Sequence, residues 1–130
     1  MKHLSIILMV AIAAGLAGCQ SARVGQPLTA TLAGSQPEQQ LEFWHQLAER
    51  PLVSNDEGFH ALLLFLDGKD ESAEYAGRVA ALQERRLLGP DFAEPAEHAI
   101  SRGTLAVAVM RILEVRGGLM WTVLGPTERY

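Results

Sequence analysis

Residues 54–68 read SNDEGFHALLLFLDG, and this stretch decides the fold because it holds a helix start, an apolar run and a helix end. Ser54 and Glu57 have the spacing of a capping box, in which the serine hydroxyl accepts from an orphan amide and the glutamate reaches back. Residues 59–66 are apolar nearly all round, which predicts the most buried helix of the domain. Gly68 is its expected end.

Three further stretches have helical periodicity. Before Pro51, which ends the first of them, one face holds Leu41, Trp44, Leu47 and Ala48. The next stretch has Ser72 as its expected cap and Gly89-Pro90 as its end, and the apolar face consists of Ala76, Val79, Ala80 and Leu87. The last begins at Ser101, ends at Gly117-Gly118 and is expected to point four residues inward: Leu105, Val109, Ile112 and Leu113.

The sequence therefore predicts a mainly α fold. Residues 47–53 (LAERPLV) and 82–88 (LQERRLL) match at Leu, Glu, Arg and Leu, and each leads to a Ser-capped helix. The match predicts two helical hairpins as a pseudo-repeat, with chance similarity of two Ala/Leu-rich helices as the alternative. A short C-terminal strand is expected at Leu119–Leu124. The predicted core is Phe59, Leu62, Leu63, Leu66, Leu105, Val109 and Ile112.

The N-terminus has the order of a secretory signal: Lys2, an apolar run over residues 4–14, and small residues before a cysteine. Leu16-Ala17-Gly18-Cys19 resembles the lipobox of bacterial lipoproteins. The resemblance implies cleavage before Cys19, a diacylglyceryl thioether on its sulfur and acylation of the new amino group, typically with palmitate. An ordinary secretory signal or an apolar terminal helix is the alternative interpretation.

These features divide the chain into a signal peptide (1–18), a flexible tether (19–37) and a small helical domain (38–130). The tether is predicted because residues 20–40 are rich in Gln, Ser, Thr, Gly, Ala and Pro. Residues 28–32 alternate in polarity as a short strand would, but Gly34 and Pro37 bound them closely, so a linker is favoured. Cys19 is the single cysteine, so the mature domain is expected to hold by packing without a disulfide.

The net charge of the mature chain limits the classes of partner that it is expected to bind. Of 130 residues the first 18 contain one of the 11 Lys and Arg and none of the 15 Asp and Glu, so the mature 112 residues have a formal charge of −5. Nucleic acid and anionic lipid surfaces are bound through positive fields, so neither is expected as a partner of the domain.

A second resemblance covers residues 73–115. Residues 80–88 (AALQERRLL), Phe92 and residues 100–106 (ISRGTLA) resemble the S-layer homology module, in which a helix and a loop precede a Thr-Arg helix start. Ser101-Arg102 stands at that start. The resemblance implies binding of a cell-wall polysaccharide with Arg102 as a candidate contact, whereas a solvated first-turn charge is the plainer interpretation of this arginine.

Catalytic and metal chemistry have weak signals. Two Glu-x-x-His pairs, Glu42/His45 and Glu57/His60, have the spacing used in di-iron helical bundles, but a carboxylate from each of two further helices is also needed. Residues 94–98 are interpreted as a solvated loop, and residues 67–71 as a polar connector lacking the frame of a calcium loop. No nucleophile elbow, P-loop or dinucleotide motif occurs, so neither an enzyme nor a cofactor is predicted.

The sequence thus predicts a lipid-anchored protein of the bacterial cell envelope that acts as a structural or interaction module. A wall-polymer-binding module is the second hypothesis, and an enzyme or metal site near His45 and His60 the third. Gln20 follows the cysteine where a retention signal would often place Asp, which favours the outer membrane, facing the periplasm, in a two-membrane cell. An envelope protein, a wall polymer or self-association through Leu119, Trp121 and Val123 are the candidate interactions, with a core-closing tail as the alternative role of the last segment.

Replacing Cys19 with Ala should leave an uncleaved precursor that takes up no fatty acid, because the sulfur is the predicted acceptor of the lipid. Metabolic labelling with a radioactive fatty acid, read on the immunoprecipitated chain, checks this. Unchanged labelling of the variant would contradict the lipobox interpretation.

Overall fold

The computed structural model describes residues 21–34 and 36–115. Within them the chain is mainly helical, as predicted, with helices α1 (Thr29–Leu32), α2 (Pro37–Glu49), α3 (Asn55–Asp67), α4 (Tyr75–Glu84) and α5 (Arg102–Ile112). The predicted signal segment, Cys19 and the strand at Leu119–Leu124 lie outside the described residues. No helix among the described residues combines the length and the apolarity needed to cross a membrane.

Helix α3 is the central element, and both of its predicted ends are confirmed. The Ser54 hydroxyl accepts from the Glu57 amide while the Glu57 carboxylate accepts from the Ser54 amide, which completes the capping box. Gly68 closes the helix in the left-handed conformation at φ +70°. Eight of its thirteen residues are buried, so the helix predicted to be the most buried is the one about which the others pack.

Two apolar clusters lie against α3. The larger joins α3, α4 and α5, and its buried members are Phe59, Leu62, Leu63, Leu82, Leu87, Leu88 and Ala108. The smaller joins the N-terminal segment, α2 and α3 through Leu28, Phe43 and Leu64. Because both clusters use α3, its nearly continuous apolar surface is the feature that permits a core on two sides.

Ordered structure begins earlier than the predicted start near Glu38. Leu28 is 5% exposed, and the residues after it form one helical turn, α1, instead of a linker or a strand. Upstream, the Val24 amide donates to the Glu97 carbonyl at 2.8 Å, within an antiparallel bridge between Arg23 and His98. Long-range contacts of this kind override a composition typical of a tether.

The loop before α5 is also paired, although residues 94–98 were predicted to be solvated. His98 accepts from the Asn55 amide at 2.8 Å, and the Ile100 amide donates to the Val53 carbonyl at 2.8 Å. An antiparallel bridge joins Ser54 to Ala99, so the segments that lead into α3 and α5 lie side by side. Both helices then begin at a serine whose side chain accepts from the amide three residues on, as predicted for Ser54 and Ser101.

The predicted inward faces of three helices are correct only in part. Leu87 is buried, and three further members pack partly buried against the apolar clusters (Leu47, Val79 and Ile112), whereas the others differ. In α2, Phe43 is fully buried, whereas Leu41 and Trp44 are 72% and 40% exposed. In α4 the buried residues are Arg78 and Leu82, and Ser72 is no cap because the helix begins at Tyr75. In α5, Thr104, Val107 and Ala108 face the core, while the predicted core residues Leu105 and Val109 are exposed. Phe59, Leu62 and Leu63 are buried as predicted, and Leu66 and Ile112 pack partly buried against them.

Helices α4 and α5 end before their predicted glycine stops, and both endings use a non-glycine residue in the left-handed region. At Arg86 (φ +58°) the amide donates to the Gln83 carbonyl, and the next amide donates to Leu82. Glu114 (φ +52°) repeats this pattern at the end of α5. Both are Schellman motifs, which provide hydrogen-bond donors to the last unpaired carbonyls of the helix and turn the chain away from the helix axis.

Truncating Leu63 to Ala should lower the free energy of unfolding by about 2–5 kcal/mol, because this side chain, 2% exposed, would leave a cavity in the larger cluster. Denaturant unfolding followed by circular dichroism measures the change. Leu41→Ala is the matched control, since Leu41 is 72% exposed, and it should change stability by less than about 0.5 kcal/mol. Equal effects of the two substitutions would refute this packing.

Candidate functional site

Two groups of polar side chains are buried, and the first is centred on Glu57. One carboxylate oxygen accepts from the Ser54 amide and hydroxyl, at 2.8 and 2.9 Å. The other accepts from the Leu28 amide at 2.7 Å and from the Arg50 guanidinium at 2.9 Å. The capping box thus extends to a third segment of the chain, because Arg50 also donates to the Gln26 carbonyl.

The second group is centred on Arg78, which is 3% exposed. Its guanidinium donates to Asp70 at 2.5 Å and to Asp56 at 2.6 Å, so one cation lies between two carboxylates. Thr29 in α1 donates to the other oxygen of Asp56. These contacts connect α4 with the start of α3, with α1 and with the loop after α3.

His60 completes this group. Its Nδ1 lies 2.6 Å from the Asp70 carboxylate, and both side chains are fully buried. Burial raises the pKa of the Asp70 carboxyl, but hydrogen bonds from His60, Arg78 and the Ser72 amide outweigh burial and hold that pKa below its ordinary value. An ionised carboxylate only accepts, so Nδ1 carries the proton. His60 Nε2 is buried without a hydrogen-bond partner among the described residues. The imidazole packs edge-to-face with the Phe43 ring, and the two ring centroids are 4.7 Å apart.

This arrangement holds the fold together, because apart from His60 Nε2 its buried side-chain nitrogen and oxygen atoms have hydrogen-bond partners within the chain. It also bears on the predicted Glu-x-x-His pairs. Glu57 is committed to the capping box and His60 to Asp70, while His45 and Glu42 are exposed on α2. Among the described residues no group of three His, Cys, Asp or Glu side chains is arranged to hold a metal ion.

An arginine-lined cleft lies at the ends of α4 and α5, and two of its three arginines have structural partners. Arg111 donates to the Arg86 carbonyl at 2.8 Å, so it caps the end of α4. Arg85 pairs with Asp67 at 2.7 Å on the surface.

The feature that the fold leaves open is an apolar groove of about 540 Å³. Its walls come from α2, α3 and α5, and its end is formed by the turn over residues 51–53 and by residues 99–101. Gly58 lies in its floor, where an added Cβ would meet Ile100 Cδ1 at 2.7 Å, so a larger residue at this position would displace the end of the Ile100 side chain.

Exposed hydrophobic side chains concentrate in this groove. Eight large hydrophobic residues are exposed in the described part of the chain, and six of them line it: Trp44, Leu52, Phe65, Leu105, Val109 and Leu113. An apolar patch rimmed by polar surface marks an interaction site more often than scattered exposure does. The groove is therefore the candidate functional site.

One wall of the groove is the apolar face of α5 that the sequence predicted for the core. Leu105, Val109, Ile112 and Leu113 were correctly identified as one helical face, but α5 uses Val107 and Ala108 for the core and turns this face to the groove. Arg102, singled out as a polymer contact, lies in the groove lining and is the only charged residue among the described lining residues. The sequence alone could not predict that Arg102, Trp44 and Phe65 line the same groove, because this depends on how α2 packs against α3.

Comparison with known proteins gives no match to a family model, a curated protein or a solved structure.

Asp70→Asn should lower the free energy of unfolding at neutral pH by about 1–3 kcal/mol, because the amide removes the negative charge beside Arg78 and cannot accept from the Ser72 amide while its oxygen accepts from His60 and Arg78. The carboxyl has an ordinary pKa of 3.8 and a lower one in the folded chain, so its contribution is present above this value and is lost as the pH falls through the folded pKa. The difference between wild type and variant should therefore shrink in acid.

Chemical denaturation at a series of pH values between neutral and strongly acid measures this dependence. Glu71→Gln is the matched control, since the neighbouring Glu71 pairs with Lys69 on the surface and its loss should matter little. A stability difference for Asp70→Asn that stayed constant into strong acid would contradict the ionised buried carboxylate.

Proposed function

We propose that the chain is a lipid-anchored protein of the bacterial cell envelope whose helical domain is an interaction module, and that the apolar groove binds a peptide segment of another envelope protein. The observation that carries the proposal is the concentration of exposed aromatic and aliphatic side chains in one groove of an otherwise closed helical domain. The envelope location is supported by the signal-like residues 1–18 and by Cys19 after Leu-Ala-Gly. Two or more acyl chains would make the anchorage stable.

The lining specifies the chemistry of the partner. The described lining contains no carboxylate, and Arg102 at one end supplies its only charge. A complementary segment is therefore apolar along its length and carries a carboxylate where it meets Arg102. Trp44 and Phe65 are the expected anchors, since large aromatic residues in a pocket supply most of the binding energy of an interface.

A peptide fits the groove better than the other candidates. Six of the hydrophobic side chains that line the groove are exposed to solvent, whereas a small-molecule or lipid site typically encloses most of its ligand's surface. A polysaccharide needs several hydrogen-bonding groups, and around Arg102 the described lining is aliphatic or aromatic except for Ser101. Wall-polymer binding through Arg102 therefore stays a prediction from the S-layer resemblance alone.

Site-specific crosslinking in intact cells tests the proposal. A photo-activated benzophenone amino acid replaces Phe65 in the groove or, as the matched control, Leu41 on the outer face of α2, since both side chains are strongly exposed. The groove position should give a discrete adduct larger than the chain, and the added Leu105→Asp substitution should abolish that adduct by placing a charge in the groove.

The adduct is then identified by mass spectrometry. A peptide from one envelope protein, apolar and flanked by a carboxylate, is the expected result. Adducts of phospholipid or glycan, an adduct of the chain with a second copy, or equal adducts from both positions would each overturn the peptide-binding assignment.

A further inference from the structure

Helix α5 has two apolar faces, and only one of them is covered. Val107 and Ala108 are 4% and 2% exposed in the core, whereas Leu105, Val109 and Leu113, spaced four residues apart, are 39%, 39% and 61% exposed along the groove. A helix that is apolar on both sides is expected to be buried on both. The described residues supply the cover for one side.

The chain that follows α5 has the composition of the missing cover. Residues 119–124 read LMWTVL, bounded by Gly117-Gly118 and Gly125-Pro126. Leu113 itself lines the groove, so this apolar segment starts six residues from the groove wall. The left-handed Glu114 turns the chain away from the axis of α5 at that point.

Lengths agree with a return along α5. The exposed face from Leu105 to Leu113 extends about 12 Å at 1.5 Å per helical residue. Six extended residues cover about 17 Å at 3.3 Å per residue, enough to follow the whole face. Beyond the turn at Glu114, residues 116–118 allow a reach of about 13 Å from Val115 to Leu119, which is sufficient to cross the width of one helix, about 10–12 Å.

We propose that Leu119–Leu124 occupies the groove of its own chain, beside α5. Attachment through five residues gives the segment an effective concentration in the millimolar range or above, which favours its own groove over that of a second copy. This proposal rests on the proposed function, because the segment covers the surface that a partner would use and a partner would have to displace it.

Cysteine crosslinking on the full chain tests the location of the segment. Cys19→Ala removes the only native thiol, so a pair of introduced cysteines can be joined without competition and independently of lipidation. Leu105→Cys combined with Val123→Cys, treated with a short bismaleimide in isolated membranes, should give an intrachain crosslink in most chains. Leu41→Cys with Val123→Cys is the matched control, because Leu41 is exposed outside the groove lining, and its yield should be at least several-fold lower.

Each outcome decides the proposal. An intrachain crosslink specific to the groove pair supports it. Dimers joined between chains would place the segment in a second copy, and absence of crosslinking, or equal yields from both pairs, would leave the groove without this segment; each overturns the proposal. Fatty-acid labelling of the unsubstituted chain reports on the anchorage alone, and an intermolecular Phe65 adduct reports on a partner that has displaced the segment. A missing intrachain crosslink together with a Phe65 adduct therefore overturns this proposal and leaves the proposed function standing.

Tryptophan quenching gives a second readout that needs no crosslinker. Trp44→Phe leaves Trp121 as the only tryptophan of the chain. In that background iodide should quench Trp121 weakly, and Val109→Asp should increase the quenching several-fold by expelling the segment while the circular dichroism stays helical. Strong quenching of Trp121 before the second substitution would show that the segment is not covered.

Discussion

The Glu57 carboxylate is the constraint on which the rest of the described structure depends. It is fully buried, yet four donors from three separate segments reach it: the Ser54 amide and hydroxyl, the Leu28 amide and the Arg50 guanidinium. A buried carboxylate is costly in free energy unless it is hydrogen-bonded. Moving any donor segment away would leave the Glu57 carboxylate less satisfied, and this cost holds the segments in place. This single group fixes the start of α3 and places the N-terminal segment against it.

The Arg78 group does the same for the other side of α3. Its guanidinium requires Asp56 at the start of α3 and Asp70 after its end, and the Asp70 carboxylate in turn receives His60 from the middle of the helix. Such a network favours one arrangement of the chain and adds little net stability. The reason is that the interactions among its members mainly offset the free-energy cost of removing their charges from water. With α3 held at both ends, the apolar clusters can pack α2 and α5 on different sides of it, and the groove is the space between them.

The groove itself follows from a competition between apolar faces. Helix α5 has two candidates for burial, and Val107 and Ala108 are the buried pair, with Ala108 in the larger apolar cluster beside Phe59. Leu105, Val109 and Leu113 are left along the opening. A search for apolar periodicity finds the larger face first, which is why it predicted the wrong side of α5 for the core but identified one wall of the candidate site.

Residue types alone determined the features that depend on neighbours in the chain. Short sequence motifs determine local backbone geometry. They therefore predicted the helical class of the fold, the capping box at Ser54 and Glu57, the glycine stop at Gly68 and the serine cap at Ser101. Tertiary structure decided which helical face is buried, that Leu28 belongs to the core, and that α4 and α5 end at Arg86 and Glu114 instead of at glycine. Each of these depends on partners distant in sequence, and a left-handed arginine or glutamate is tolerated only where such packing outweighs its cost of about 1–2 kcal/mol.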